Sequence, residues 1–371
     1  SYLSARPGTS EVFASVVGQG MFVNDGSSDT WTPIGQGAGS AIIDHRASSI
    51  VYDPDDPDRF WESGFFGLGP PPEAKASNAN RSDDGGNTFV ALANGLDADG
   101  IGVDFTDPAR RTLMIGVRAQ ERVLISDDGG ASWTDVSETL PASLGEASFP
   151  YVIDSQTFLL GSHKGDRRGN ADPGIFRTTD AGETWTKVFD EGVSGTPLVS
   201  DGSLYWVIDA GGVVESSDDG ASWTIVSDFG PANGALDARR NGLAETADGG
   251  WISMDQAGML YSPDRGVTWL TIGDRFPWEA DAADGFAYSE EQNAVYIWKN
   301  WCQFTAALNP VLEDAIYRFD LQPDATDETA EADETAEAET TDEADATDEA
   351  DATTTTEATD DTGEADGESD E

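Results

Sequence analysis

Three carboxylates and a group of cations stand where apolar, strand-like runs of this chain give way to loops. The acids are Glu62, Asp209 and Asp255, and the bases are His45, Arg46, Arg118, His163, Lys164, Arg167, Arg168 and Lys299, accompanied by the aromatic residues Phe65, Phe66 and Trp301. Two carboxyl groups held about 5 to 9.5 Å apart suffice for glycoside hydrolysis, one as acid and one as base or nucleophile. The same acids, with cations and aromatic faces, would equally serve passive recognition of a sugar or a peptide. Which of the two applies depends on the elements that position them.

Those elements are announced by a repeated phrase. SDDGGASW (126–133), TTDAGETW (178–185), SSDDGASW (216–223) and SPDRGVTW (262–269) share the pattern S/T-x-D-x-G-x-S/T-W. SDDGGNTF (82–89) replaces the tryptophan by Phe89, and NDGSSDTW (24–31) is a degenerate sixth copy. Each reads as a hairpin turn: Asp84, Asp128, Asp180, Asp218 and Asp264 accept hydrogen bonds from nearby amides, and glycine supplies the positive φ of a tight turn. Trp133, Trp185, Trp223 and Trp269 then open the next strand and pack over the turn. The closing aromatic recurs at intervals of 58, 44, 52, 38 and 46 residues. A period of roughly 40–50 residues is that of a four-stranded propeller blade.

These phrases resemble the Asp-box, or bacterial neuraminidase (BNR), repeat. The resemblance extends to IVYDPDDPDRFWES (50–63) and GIGVDFTDPARRTLMIGV (100–117), which look like the first two strands of such blades. It implies an all-β propeller of four-stranded antiparallel blades, but no particular reaction, because the family spans sialidases, xyloglucan-cleaving hydrolases, sortilin-type receptors and a photosystem assembly factor. The sialidase pattern is not met. Arg46 is followed by Ala47 and Ser48, and no Arg-Ile-Pro occurs in the chain. The xyloglucan hydrolases are normally twice as long, and the arginine-rich patch of the photosystem factor finds only a thin match in ARR at 238–240.

Aligned on the phrases, each blade reads strands a, b, c and d from the centre outward. Six phrases give six blades, and GFAYS (285–289), AVYIWKN (294–300) and AIYRFDL (315–321) supply strands of one more. Seven blades are expected, the last sharing strands from both termini, with six or eight as the other arrangements. The repeated turns join c to d on one face, so the b-to-c and d-to-a connections emerge on the other. Three long b-to-c insertions fall there, at 62–81, 163–174 and 299–314. That rim is the expected binding face. Counting to the ends of successive b strands yields a ring of Gln19, Glu62, Arg118, His163, Asp209, Asp255 and Lys299 around the mouth, to which the d-to-a connections add His45 and Arg46.

Composition narrows the partners. The chain carries 71 acids against 20 bases, and its last 48 residues (324–371) hold 22 of those acids and no Lys or Arg. The body 1–323, one propeller domain, therefore keeps 49 acids against 20 bases. So acidic a body, with four lysines in all, resembles proteins of salt-loving organisms, and it makes a phosphate backbone an unfavourable partner. The 324–371 segment, built almost wholly from Asp, Glu, Thr and Ala without an aromatic residue, is expected to be disordered. The single Cys302 excludes an internal disulfide, no run approaches the ~18 apolar residues of a membrane span, and a monomer is expected. No cofactor or metal is expected either, although the oxygens of DPDDPD (53–58) leave calcium open. Export to the cell surface or beyond is inferred from the resemblance and the tail, the chain itself starting at Ser1. The reading that results is a surface-exposed or extracellular propeller recognising a glycan or protein ligand, the alternative being a glycoside hydrolase acting through Glu62, Asp209 and Asp255.

Overall fold

The computed structural model describes residues 2–16, 19–39, 43, 46–65, 79–93, 98–117, 122–142, 144, 149–162, 172–209, 211–227, 242–254, 258–273, 276, 283–299 and 316–321. They form seven antiparallel sheets, each ordered as its strands follow in sequence. Blade 1 comprises Tyr2–Ala5, Val12–Val16, Gly20–Asn24 and Thr32–Pro33. Blade 2 runs Arg46–Tyr52, Phe60–Phe65, Ala79–Ser82 and Val90–Ala93. Ala98–Val103, Leu113–Val117, Arg122–Ser126 and Thr134–Asp135 make blade 3. In blade 4 the strands are Phe149–Val152, Phe158–Ser162, Gly174–Thr178 and Thr186–Phe189, and in blade 5 Val193–Ser200, Ser203–Ile208, Val213–Ser216 and Thr224–Ser227. Blade 6 has Ala244–Glu245, Trp251–Met254, Met259–Ser262 and Leu270–Ile272. Ala283–Ser289, Ala294–Lys299 and Ile316–Asp320 belong to blade 7, three-stranded among the described residues. A single 3-10 turn, Ser137–Thr139, is the one helical element described, and no described helix is long and apolar enough to cross a membrane.

Innermost strands of successive blades touch, blade 7 meeting the second strand of blade 6, and blade 7 returns to blade 1, so the sheets form a seven-bladed β-propeller. Period-2 alternation explains the core. In the second strand of each blade, one set of side chains faces the preceding blade and the other the following one: Phe60 packs toward blade 1 while Trp61 packs toward blade 3. Seven apolar clusters result, one per seam, and together they take in the fully buried Phe13, Trp61, Met114, Phe158, Trp206 and Trp251.

Among the described residues, the expected sharing of strands between the termini is not found. Tyr2–Ala5 pairs with Val12–Val16 inside blade 1, through a local turn in which the Arg6 amide donates to the Glu11 carbonyl and the two side chains form an ion pair. A hairpin six residues long closes at far lower entropic cost than pairing with a strand nearly 300 positions away.

The repeated phrase builds the same turn five times. In blade 3 the Ser126 hydroxyl donates to Asp128 Oδ1 (2.8 Å) and accepts from the Gly130 amide (2.8 Å), while Ser132 donates its amide to Oδ1 (2.8 Å) and its hydroxyl to Oδ2 (2.6 Å). Asp84, Asp180, Asp218 and Asp264 are held by the same set of donors. Gly130 has φ +90°, and a Cβ there would come within 3.0 Å of Leu92 of blade 2. Glycine is thus required twice over, by the turn and by the approach of the neighbouring blade. Trp133 completes the latch by donating its indole N–H to the Leu92 carbonyl (2.9 Å). In the degenerate copy, Asn24 replaces serine and aspartate together, its amide bonding the carbonyls of Ser28 and Thr30 and its oxygen accepting from the Gly26 amide.

Hydroxyl and amide donors hold three of these carboxyls at about 2: Ser132 foremost for Asp128, Thr184 for Asp180 and Ser222 for Asp218. A carboxyl with a depressed folded value stabilises the fold above its unfolded value, near 4, and loses that contribution as pH falls through the folded value. Stability is therefore expected to drop between pH ~4 and ~2. Urea titrations across this window at fixed salt will show a shallower pH dependence in an Asp128→Asn, Asp180→Asn, Asp218→Asn triple variant, alongside lower stability at neutral pH.

Candidate ligand-binding face

Hairpins a–b and c–d close on one face of the ring. There many polar groups are consumed internally: the aspartates of the five repeated turns by their own loops, and several arginines by clamps from blade to blade. Arg6 of blade 1 pairs with Asp58 of blade 2, Arg265 of blade 6 with Asp201 of blade 5, and Arg177 of blade 4 donates to the Asp219 carbonyl of blade 5 (2.9 Å). The most buried clamp is Arg110, 4% exposed, whose Nε and Nη2 bond both oxygens of Asp53 at 3.0 and 2.8 Å. Burial pushes the Asp53 carboxyl up, but the Arg110 guanidinium and the Asp55 amide outweigh it and hold it below the usual range. The DPDDPD oxygens considered for calcium thus serve an arginine, Asp55 also contacting Arg110.

The opposite face, where b strands end and a strands begin, is built differently. Innermost strands of four blades depart from regular pairing at this end: between Ala47 and Ser49 in blade 2, opposite Gly116 and Val117 in blade 3, between Ser194 and Leu198 in blade 5, and between Ala283 and Gly285 in blade 7. Bulges bend a strand, free backbone groups and re-aim side chains, and they gather at the rims of barrels and beside binding sites. Here they displace Ser48, Asp99, the Gly195-Thr196-Pro197 segment and Asp284. The Ser48 hydroxyl lies 2.8 Å from the Ala98 carbonyl, tying blade 2 to blade 3, and Asp99 is 5% exposed. Ser194 donates its hydroxyl to Asp209 Oδ1. The Trp206 indole holds the Gly195 carbonyl at 2.8 Å.

Of the residues the sequence pointed to, Asp209 lies at this rim, immediately after Ile208, and its amide donates to the Gly192 carbonyl. Glu62 does not lie at a strand end. Its strand runs on to Phe65, and register places Glu62 opposite Asn80, at the level held in blades 3 to 5 by Ile115, Leu160 and Trp206. It is 1% exposed and accepts from Asn80 Nδ2 at 2.9 Å. The first insertion correspondingly shrinks from 62–81 to 66–78, because both flanking strands extend into it. Arg46, Phe65 and Lys299 sit in strands at this end. Gln19 is exposed in the turn after the second strand of blade 1. His45, Phe66, Arg118, His163, Lys164, Arg167, Arg168, Asp255 and Trp301 lie outside the described residues, as does the 324–371 segment. Among the described residues no three His, Cys, Asp or Glu side chains are grouped to hold a metal ion. Sequence reasoning missed Ser48, Asp99 and Ser194, for which the one available signal was polar and glycine residues opening an innermost strand, as in Asp99-Gly100 and Ser194-Gly195.

No family model matches the chain. A curated protein, the photosystem II assembly lipoprotein Ycf48 of Synechococcus sp. (strain CC9902), is 30% identical over 173 residues, 44% of this chain and 46% of that protein. The chain thus matches about half the length of this relative. Among solved structures, a GH74 enzyme from Niastella koreensis superposes with a TM-score of 0.55 at 14% identity, covering 86% of this chain and 51% of that one. Ycf48 from Cyanidioschyzon merolae gives a TM-score of 0.50 at 14% identity, covering 80% and 92%. At such identities the likeness is one of fold: the chain shares its propeller architecture with an assembly factor and with glycoside hydrolases.

Proposed function

We propose that this chain is a surface-exposed or extracellular recognition propeller of the Asp-box type, suited to salt-rich surroundings, which binds a protein or glycan ligand at the face opposite its repeated turns. The observation that carries this reading is the contrast between the two faces. One face has its repeated-turn aspartates and several arginines engaged in turns and clamps, whereas the other bends four innermost strands and bears Asp209 and Ser194. A protein ligand is favoured by the likeness to an assembly lipoprotein. The hydrolase alternative is weakened by Glu62, which lies buried against Asn80 and so is poorly disposed to reach a substrate.

The reading is tested by calorimetry and thermal shift in molar KCl against peptide and polysaccharide panels, together with assays for new reducing ends and free sialic acid. Binding without turnover is expected, weakened about tenfold or more by Asp209→Asn, the scale of one hydrogen bond to a charged group. Turnover by the intact protein that disappears in Asp209→Asn would establish the hydrolase instead, and binding indifferent to Asp209, Arg118 and His163 substitutions would move the site elsewhere.

A further inference from the structure

The ring closes between blades 7 and 1, and this seam differs from the others. As at the other seams, no described strand crosses it. Its apolar part joins Leu3, Val12 and Ala14 of blade 1 to Ala287, Ala294, Tyr296 and Trp298 of blade 7. Neutral groups make the polar contacts. The Gln292 side chain donates to the Ser10 carbonyl, the Tyr296 hydroxyl lies 2.7 Å from Gln292 Oε1 and 3.3 Å from Asn24 Oδ1, and Trp31 meets the Tyr296 ring edge-on at 6.0 Å. Gln292 fits so closely under Gly26 that a Cβ there would stand 2.6 Å from its amide carbon.

That contact brings the 25–29 turn of blade 1 against the 290–293 turn of blade 7. The meeting turns carry Asp25, Asp29, Glu290 and Glu291, all exposed, and no base. At seam 5–6 the equivalent turns bring Arg265 onto Asp201, and at seam 1–2 Arg6 reaches Asp58. Among the described residues no ion pair crosses seam 7–1. Glu11 is paired with Arg6. Arg318, whose guanidinium lies 5.8 Å from the centre of the Tyr296 ring, is paired with Asp320 of its own strand.

We propose that the blade 7–blade 1 seam is a salt-gated clasp: the ring opens there first, and reversibly, as ionic strength falls. The screening length is about 10 Å at ~0.1 M salt and about 3 Å at ~1 M. Carboxylates on facing turns therefore repel one another in dilute buffer and cease to do so in molar salt. Seams 1–2, 2–3 and 5–6 are braced by the ion pairs of Arg6, Arg110 and Arg265, and seam 4–5 by Arg177 on the Asp219 carbonyl. Opening separates Leu3 and Val12 from Tyr296 and Trp298, exposing apolar surface and loosening the strand pairing that this packing supports inside blades 1 and 7.

Hydrogen exchange on the intact chain at ~0.1 M and ~2 M KCl tests the clasp. Lowering the salt is expected to speed exchange on the order of tenfold in Val12–Val16 and Ala294–Lys299, while Leu113–Val117 and Phe158–Ser162 keep their protection. Glu290→Gln with Glu291→Gln will abolish most of the difference. An Asp127→Asn, Glu138→Gln variant, with the same change of charge on blade 3, will leave it intact. Uniform loss of protection around the ring, or equal responses from the two variants, would overturn the proposal.

Discussion

Replacing Arg110 by methionine will lower the unfolding free energy by about 3–5 kcal/mol, the scale of removing one partner from a buried ion pair. The side chain lies under the a–b turns of blades 2 and 3, 57 residues in sequence from Asp53, and contacts four groups at once: both oxygens of Asp53, the Phe105 and Asp107 carbonyls at 2.9 and 2.8 Å, and Asp55. Methionine preserves the stem but leaves Asp53, 1% exposed, as an uncompensated buried charge. Arg110→Lys is also expected to fall well short of the parent, because one ammonium cannot copy a planar fork that bonds a carboxylate and two carbonyls together. The partner test is Asp53→Asn in the Arg110→Met background. If the loss stems from an orphaned charge, the double variant recovers part of it, and the two substitutions are non-additive in urea unfolding at fixed KCl. A loss below about 1 kcal/mol would mean that water reaches the pair.

This clamp illustrates what was legible in the sequence and what was not. The blades were readable because each repeated turn is a local device. Ser126, Asp128, Gly130 and Ser132 bond to one another, so their spacing carries the structure with it. The strands either side follow from period-2 alternation, and GFAYS (285–289), AVYIWKN (294–300) and AIYRFDL (315–321) fall within two residues of the observed strands. Long-range pairs such as Arg110 with Asp53 leave no local trace. Neither does the choice of partner for a terminal strand, which is why Tyr2–Ala5 was expected to lend itself to the last blade. Glu62 was misplaced for a related reason. Counting to a strand end from polarity alone stops at the first charged residue, whereas this strand continues through Ser63, Gly64 and Phe65, and its carboxylate is accommodated by Asn80 from the next strand. The bulges that shape the mouth are departures from pairing register, and register is a property of two strands, not of one.

At Trp206 the packing of two blades and the shape of the mouth are coupled through one side chain, and Trp206→Ala is expected to cost about 3–5 kcal/mol. The indole is fully buried in the cluster joining blades 4 and 5. It lies so close to blade 4 that a Cβ on Gly161 would come within 2.6 Å of Trp206 Cζ2. Its N–H holds the Gly195 carbonyl beside Ser194 and Asp209. Trp206→Phe retains most of the apolar volume but leaves that carbonyl without its donor, a loss of about 1–3 kcal/mol. The two substitutions can therefore be separated by what they disturb. Alanine opens a cavity between blades, and its effect will be felt chiefly in unfolding. Phenylalanine releases the bulge that carries Ser194, so ligand binding at the mouth is expected to weaken by more than its stability loss alone would explain. Gly161→Ala supplies the control. In the parent it collides with the indole and with Val193 Cγ2, 2.8 Å away, and destabilises the seam, whereas Trp206→Ala removes the indole clash and leaves room for Val193 to give way, so the pair of substitutions will be less damaging than the sum of the two. Additive losses would show that Val193, and not the tryptophan, sets the limit at Gly161, and binding that tracks stability in Trp206→Phe would detach the bulge from recognition.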